Sequence, residues 1–204
     1  MILYSVLQDI KIKILIYLNK LHTLFLSHNK GVVIGEGSVV YYKSRIDCYS
    51  QSYNNNGGIL IGKNCRIGCR NIRYHCGMPF YTSFLADGVG SKISVGDNCR
   101  VNGAYIHAEK SISIGNNCVI ASGVNIVDSN GHVVNSSNRT SGRDVPHEIV
   151  IGNNVWICMN ATILKGSVIG DNSIISAGSV IQGVIPPNSI ASTTGELSIK
   201  EIRM

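Results

Sequence analysis

Residues 128–132 read Asp-Ser-Asn-Gly-His, and the two ends of this pentapeptide, Asp128 and His132, carry side chains that do proton chemistry. An imidazole titrates near neutrality, so His132 can take a proton from a weak nucleophile such as a hydroxyl. Asp128 suits two tasks equally, orienting that imidazole or starting a turn. By residue type alone a loop histidine is more often a solvated side chain, so the pentapeptide needs its context. The other five histidines are not grouped. His22 and His28 belong to the N-terminal segment, and His75 and His147 stand in or beside irregular stretches. His107 falls where a new repeat unit counted from Val101 would begin, which makes it a wall residue or part of a cleft.

Seven cysteines, at 48, 65, 69, 76, 99, 118 and 158, are an odd number, and a disulfide framework would normally pair them all. Cys65, Cys69 and Cys76 lack the paired CxxC spacing of a zinc ribbon and no matching His pair follows, so no metal is expected. Free thiols point to a reducing cytosol and a cytoplasmic protein.

The elements that must position these residues are legible from composition and period. A chain of 204 residues with 44% hydrophobic content suits one domain, and 22 Gly with 15% charged residues speaks for frequent turns rather than long helices. A net charge of +6 without basic runs gives a weak bias toward anionic ligands and no reason to expect a nucleic acid.

From Ile151 the chain reads IGNNVW ICMNAT ILKGSV IGDNSI ISAGSV IQGVIP, six hexads in unbroken phase. Earlier copies begin at Ile34, Ile61, Val95 and Ile114. The first residue is always Ile or Val, and the fifth is usually small: Ser38, Cys65, Cys99, Cys118, Ala161, Ser167, Ser173, Ser179. A period of six with one large and one small residue fits a coil of three flat faces whose aliphatics stack in columns, three hexads to the turn. Gly and Asn near the corners supply the bends, and the fifth-position cysteines are core filler. The expected class is therefore all-β, a parallel β-helix over 30–190. Residues 71–92 and 127–150 obey no hexad rule and are expected to protrude as loops, where a rigid solenoid builds its recognition and chemistry. Residues 191–204 form a tail.

Residues 1–29 read as a helix. Lys11, Lys13 and Lys20 interrupt its apolar run, so it neither spans a membrane nor signals export. Its many Leu and Ile are expected to pack on the rest of an oligomer or to lie in a membrane interface, which would place the protein peripherally at the inner face.

IGNNVWI (151–157), ILKGSVIGDNSIISAGSVI (163–181) and PPNS (186–189) resemble the hexapeptide-repeat acyltransferases, over most of 31–190. The likeness is to maltose and galactoside acetyltransferases and, more closely, to bacterial surface-polysaccharide O-acetyltransferases. It implies a left-handed coil, a homotrimer with active sites between subunits, and acetyl-CoA as donor. His132 matches the family's catalytic histidine in Asp-x-Asp-Gly-His, with Asn130 replacing the second Asp and Gly131 providing a bend that aims the ring. Asn102 lies near the position where relatives hold an Asn beside the reacting acetyl group. Backbone groups at Met159, Ala177 and Gly178, with Gln182 one coil later, match the donor groove, while Trp156 reads as a structural aromatic. The usual Gly-x-Pro-Ala-Lys ending is replaced by IASTTGELSIKEIRM, leaving Lys200 and Arg203 as phosphate contacts on charge alone.

The resemblance implies acetyl transfer to a hydroxyl of a capsule or lipopolysaccharide sugar. A free sugar, an amino-sugar nucleotide or an antibiotic is the alternative acceptor. A metal-dependent lyase on the same scaffold would need three His at an interface, which the scattered His do not provide.

Overall fold

The computed structural model describes residues 2–49, 57–68, 80–134, 137–138, 140–194 and 196–201. After an N-terminal helix, α1 (Ile2–Ser27), the chain winds through three parallel sheets. The first sheet has seven strands and the second has eight, whose last pair, Ser189–Thr194 and Glu196–Glu201, forms an antiparallel hairpin. Six strands make the third: Arg45–Cys48, Ser83–Ala86, Tyr105–Ala108, Asn125–Val127, Thr162–Leu164 and Val180–Ile181. Each circuit visits the sheets in the same order.

The hexad register becomes three inward columns. Ile34, Ile61, Val95, Ile114, Ile151, Ile169 and Ile185 stack along the first sheet. Val40, Ile67, Val101, Ile120, Ile157, Ile175 and Ala191 stack along the second. Ile46, Phe84, Ile106, Ile126, Ile163 and Ile181 form the third. Apart from the half-buried Ile34, all of these are buried; a second inward rank on the first sheet, Val32, Ile59, Ile93, Ile112 and Ile149, and small residues such as Cys65, Cys99, Cys118 and Ala161 complete the core.

Asn serves the corner that follows the first sheet. Asn64, Asn98, Asn117, Asn154, Asn172 and Asn188 all take left-handed backbone conformations, with φ of 53–59°. Asn tolerates this region better than other non-glycine residues. Their amides also link coil to coil, as in Asn172 Nδ2 to Asn188 Oδ1 at 2.9 Å. The fifth-position thiols behave as small core groups. Cys65, Cys99 and Cys118 are buried and donate to the carbonyls of Gly96, Gly115 and Gly152 at 3.0–3.1 Å.

Three stretches differ from the sequence expectation, the smallest difference being that the second expected loop, 127–150, is shorter, since Val127 ends the strand Asn125–Val127 and Ile149 begins the strand Ile149–Ile151. Residues 83–86, expected within a protruding loop, form a strand whose Phe84 stacks between Ile46 and Ile106. The aromatic in place of an aliphatic conceals the repeat, yet the alternation that buries Phe84 and Ala86 is that of a coil strand. Ser189–Thr194 likewise belongs to the coil rather than to a separate tail. Residues 71–79 of the first expected loop lie outside the described residues, and its last residue, Lys92, opens the strand Lys92–Val95.

The N-terminal end of the coil is covered by α1. The strand Val39–Val40 at the open edge of the second sheet is met by α1: Val40 N–H donates to Thr23 Oγ1 at 2.9 Å, and Tyr42 N–H to Asn19 Oδ1 at 2.8 Å. His22 Nε2 lies 2.9 Å from the Ser44 carbonyl. Polar side chains of a helix thus stand in for a neighbouring strand, which protects an edge that would otherwise pair with another chain.

Candidate functional site

The site grows from one corner of three successive coils. Asp87 follows the strand Ser83–Ala86, Glu109 follows Tyr105–Ala108, and Asp128 follows Asn125–Val127; these strands are neighbours in the third sheet. Because they run in parallel, their C-terminal ends bring three acidic residues to the same edge. Ile106 holds the inward column, so His107 points outward beside them rather than opening a hexad. The turn from Val101 is one residue shorter than the repeat count implied.

His107 Nε2 lies 2.8 Å from Asp87 Oδ1. Arg143, returning along the excursion, sits 3.9 Å from Asp87 and 3.6 Å from Glu109. With His132, Gly131, Thr140 and Gly142, these residues line a cleft of about 490 Å³. Asp87, His107 and Glu109 place three ligand-type atoms within 4.8 Å of one another, a spacing compatible with a metal ion. The His–Asp hydrogen bond and the Arg143 cation already engage those groups, so the donor set is not a vacant ligand shell.

The excursion that carries His132 is anchored at several points. Asp128 Oδ1 and Oδ2 accept the backbone N–H groups of Glu109 and Lys110, each at 2.8 Å, and the Asp128 side chain is fully buried. Burial pushes its carboxyl above the usual range, and the amide hydrogen bonds pull the other way. Its carbonyl receives the His147 N–H at 2.9 Å, which pinches the two ends of the excursion together. Of the two roles open to Asp128, these contacts are those of a turn anchor. Asp144 accepts the Asn130 N–H at 3.0 Å and pairs with Lys165, whose hydrogen bond holds the Asp144 carboxyl below the ordinary range. Gly131 has φ of +74°, and a Cβ there would meet nothing within 4 Å, so glycine is required for the bend rather than for space. His132 follows directly, exposed over the cleft.

The other expected site residues are distributed elsewhere. Asn102 follows the strand Arg100–Val101 of the second sheet and does not line this cleft within one protomer. Met159 and Ala177–Gly178 share the corner between the second and third sheets, where Gly178 N–H donates to the Met159 carbonyl at 2.9 Å. That corner lies at the N-terminal ends of the third-sheet strands, across the sheet from His132. Gln182 follows Val180–Ile181 and so stands at the opposite end of the strand from Gly178. Trp156 projects outward from the second sheet, half exposed. Lys200 is opposite Ile190 in the terminal hairpin. Arg203 and His75 lie outside the described residues. Sequence reasoning did not single out Asp87, Glu109 and Arg143; the signal available was an acidic residue just after each of three successive strands of the third sheet, at Asp87, Glu109 and Asp128.

Comparisons with known proteins agree with this architecture. A family model described as bacterial transferase hexapeptide (six repeats) matches residues 148–183, and one described as hexapeptide repeat of succinyl-transferase matches 92–127. The galactoside O-acetyltransferase of Escherichia coli K12 is 38% identical over 61% of this chain and 59% of its own length. WbbJ of the same organism, named for lipopolysaccharide-biosynthesis O-acetyl transfer, is 30% identical over 74% of this chain and 76% of its own. A solved galactoside acetyltransferase in complex with coenzyme A is similar with a TM-score of 0.52 and 27% identity, covering 78% of this chain and 65% of that one. The three-sheet coil is a left-handed parallel β-helix, as in these neighbours. With both repeat models lying on the coils and WbbJ matched over three quarters of its length, the chain belongs to the bacterial hexapeptide-repeat acetyltransferases.

Proposed function

We propose that this protein moves the acetyl group of acetyl-CoA to a hydroxyl of a sugar in a bacterial surface glycan, with His132 as general base. The observation that carries the reading is the placement of His132, turned by Gly131 over a cleft walled by Asp87, His107, Glu109 and Arg143. A sugar hydroxyl is a poor nucleophile until its proton is taken as it attacks. The imidazole accepts that proton while the hydroxyl oxygen bonds to the thioester carbonyl carbon. Collapse then breaks the C–S bond, and the imidazolium returns the proton to the departing sulfur. The Asp87 and Glu109 carboxylates accept hydrogen bonds from the neighbouring hydroxyls of a sugar ring, which suits a polyhydroxylated acceptor.

The donor lies along Met159, Ala177 and Gly178 in this reading, with Gln182 and Lys200 as further contacts, and Arg203, outside the described residues, is retained as a phosphate contact on charge alone. In one protomer that corner and His132 occupy opposite edges of the third sheet, so a neighbouring copy must complete the site. A homotrimer in the cytoplasm meets this need. Two contiguous outward rows are available to bury between copies, Val150–Val168–Val184 and Val119–Trp156–Ile174–Ile190.

The test is release of thiol from acetyl-CoA in the presence of a panel of bacterial glycans and of small sugars. His132→Ala should lose roughly 10²–10⁴ in turnover while retaining its oligomeric mass and coenzyme A binding. A folded variant with turnover within a few-fold of the parent would move the base to another residue, His107 first. Turnover on small sugars alone would replace the glycan with a small-molecule acceptor.

A further inference from the structure

We infer that α1 is an in-plane membrane helix, docking this protein on an anionic phospholipid surface through the face it turns away from the coil. This goes beyond the acetyl-transfer reading and does not depend on it.

The helix has two faces. Ile12, Leu15, Leu18, Asn19, His22, Thr23 and Leu26 are the half-buried or buried positions among those described, and this face is tied to the first coil by the hydrogen bonds to Val40 and Tyr42 and the His22–Ser44 contact. Eight large apolar side chains of the helix are exposed among the described ones; Ile16 stands apart at 39%, and the other seven, Leu7, Ile10, Ile14, Tyr17, Leu21, Leu24 and Phe25, are each 44–68% exposed and form one stripe. From Leu7 to Leu24 their spacing alternates between three and four residues, and Phe25 lies four residues after Leu21. At 3.6 residues per turn these seven fall within about 100° of arc, directed away from the coil except at Leu24, which at the edge of the stripe lines a groove with Ile34 and Val39 of the first coil. Exposed Lys11 borders this stripe on one side, and exposed Lys13 and Lys20 border it on the other.

An apolar stripe lined on both margins by lysines matches a bilayer interface, where stems lie along the acyl boundary and ammonium groups reach anionic headgroups. Charge decides against a second copy of the helix as the occupant. Two such stripes facing each other would bring lysine margins together, with Asp9 as the sole acidic residue of α1 to relieve them. Among the described residues no helix is long and apolar enough to cross a membrane, so the geometry is of lying on the bilayer. The polar seam that ties α1 to the coil lets it present this face as a rigid part of the molecule.

The experiment is co-sedimentation of the full chain with vesicles of phosphatidylcholine alone and of equal parts phosphatidylcholine and phosphatidylglycerol. Binding is expected to the anionic vesicles and to weaken with salt. Replacing Lys11, Lys13 and Lys20 with Gln should weaken binding on the order of 100-fold. The triple variant Ile14→Ser, Leu21→Ser, Phe25→Ser should abolish it, with the light-scattering mass, melting temperature and thiol-release rate of the parent. Absence of binding to anionic vesicles by the parent overturns the proposal. A fall in oligomeric mass in the serine variant also overturns it, by showing that a second copy covers the stripe. The lysine variant keeps the question open to refutation if the serine variant fails to fold, since equal binding before and after removal of the charges contradicts the mechanism.

Discussion

Asp128 and Glu109 are joined through a side chain and a main chain: Asp128 Oδ1 accepts the Glu109 N–H at 2.8 Å, while Oδ2 takes that of Lys110. The residue that begins the excursion is thereby fixed to the coil that supplies the cleft wall, and His132 follows four residues later. Asp128→Asn keeps one acceptor and turns an amide toward the other N–H, leaving it without a partner. That loss costs about 1–3 kcal/mol. Relief of charge burial offsets part of it, because a carboxyl with its folded pKa raised above 3.8 opposes folding increasingly as pH climbs past that value. The expected net destabilisation at pH 7 is about 1 kcal/mol by chemical denaturation, with turnover falling more than stability. Unchanged turnover would separate the anchor from the placement of His132.

The His107–Asp87 contact supplies a second test. Asp87→Asn removes a carboxylate from the imidazole and from Arg143, and hydrogen bonds to charged groups are worth about 1.5–3 kcal/mol. The acceptor KM should rise roughly 10-fold or more while the donor KM stays near the parent value. Equal changes in both would mean that the pair only stabilises the corner.

Acid should loosen the excursion before the coil. The Asp144 carboxyl is lowered by its hydrogen bond to Lys165, so its contribution is present above an ordinary carboxyl pKa of 3.8 and disappears as pH falls through the lower folded value. Proteolytic nicking between 129 and 146 by an acid-active protease should rise below about pH 4, with the coil intact. Asp144→Asn should show greater nicking at pH 7 with a neutral-pH protease, and equal resistance in variant and parent would refute the anchor.

Thiol labelling reports the packing of the columns. The hydrogen bond with the Cys99 thiol and then burial raise the Cys65 thiol, and Cys99 is pushed up to about 11 by its hydrogen bond with Cys118 and by burial. At the receiving end Cys118 is lowered by Cys99, but it is closed to solvent. Iodoacetamide at pH 8 should modify the half-buried Cys48 and Cys158 well before Cys65, Cys99 and Cys118, as read by peptide mass spectrometry. Labelling of the buried three at the Cys48 rate would contradict the packed core.

The Asn corner can be tested singly. Asn172→Ala places an alanine at φ of about 59° and removes the Nδ2 bond to Asn188. A loss of about 1–2 kcal/mol is expected from the backbone alone. Asn172→Gly should recover most of that part.

The hexads at Ile151, Ile157, Ile163, Ile169, Ile175 and Ile181 determined by themselves that the chain winds around three faces. In such a coil every inward position follows from a one-dimensional count, and each rank lies directly over the last. The same count exposed the excursion at Asp128, since a break in so regular a pattern has few other meanings. It did not reveal the strand at Ser83–Ala86, where Phe84 replaces the aliphatic, or the shortened turn that puts Ile106 inside and His107 out. Only the tertiary structure decided that Asp87, His107 and Glu109 stand together with Arg143 beneath His132. Those residues come from separate coils and from the far end of the excursion, and their meeting depends on the residue length of each turn and on where the loop folds back. The two-sidedness of α1 was settled the same way: sequence recorded an apolar helix with lysines, and the hydrogen bonds of Asn19, His22 and Thr23 to the first coil fixed which side is left facing out.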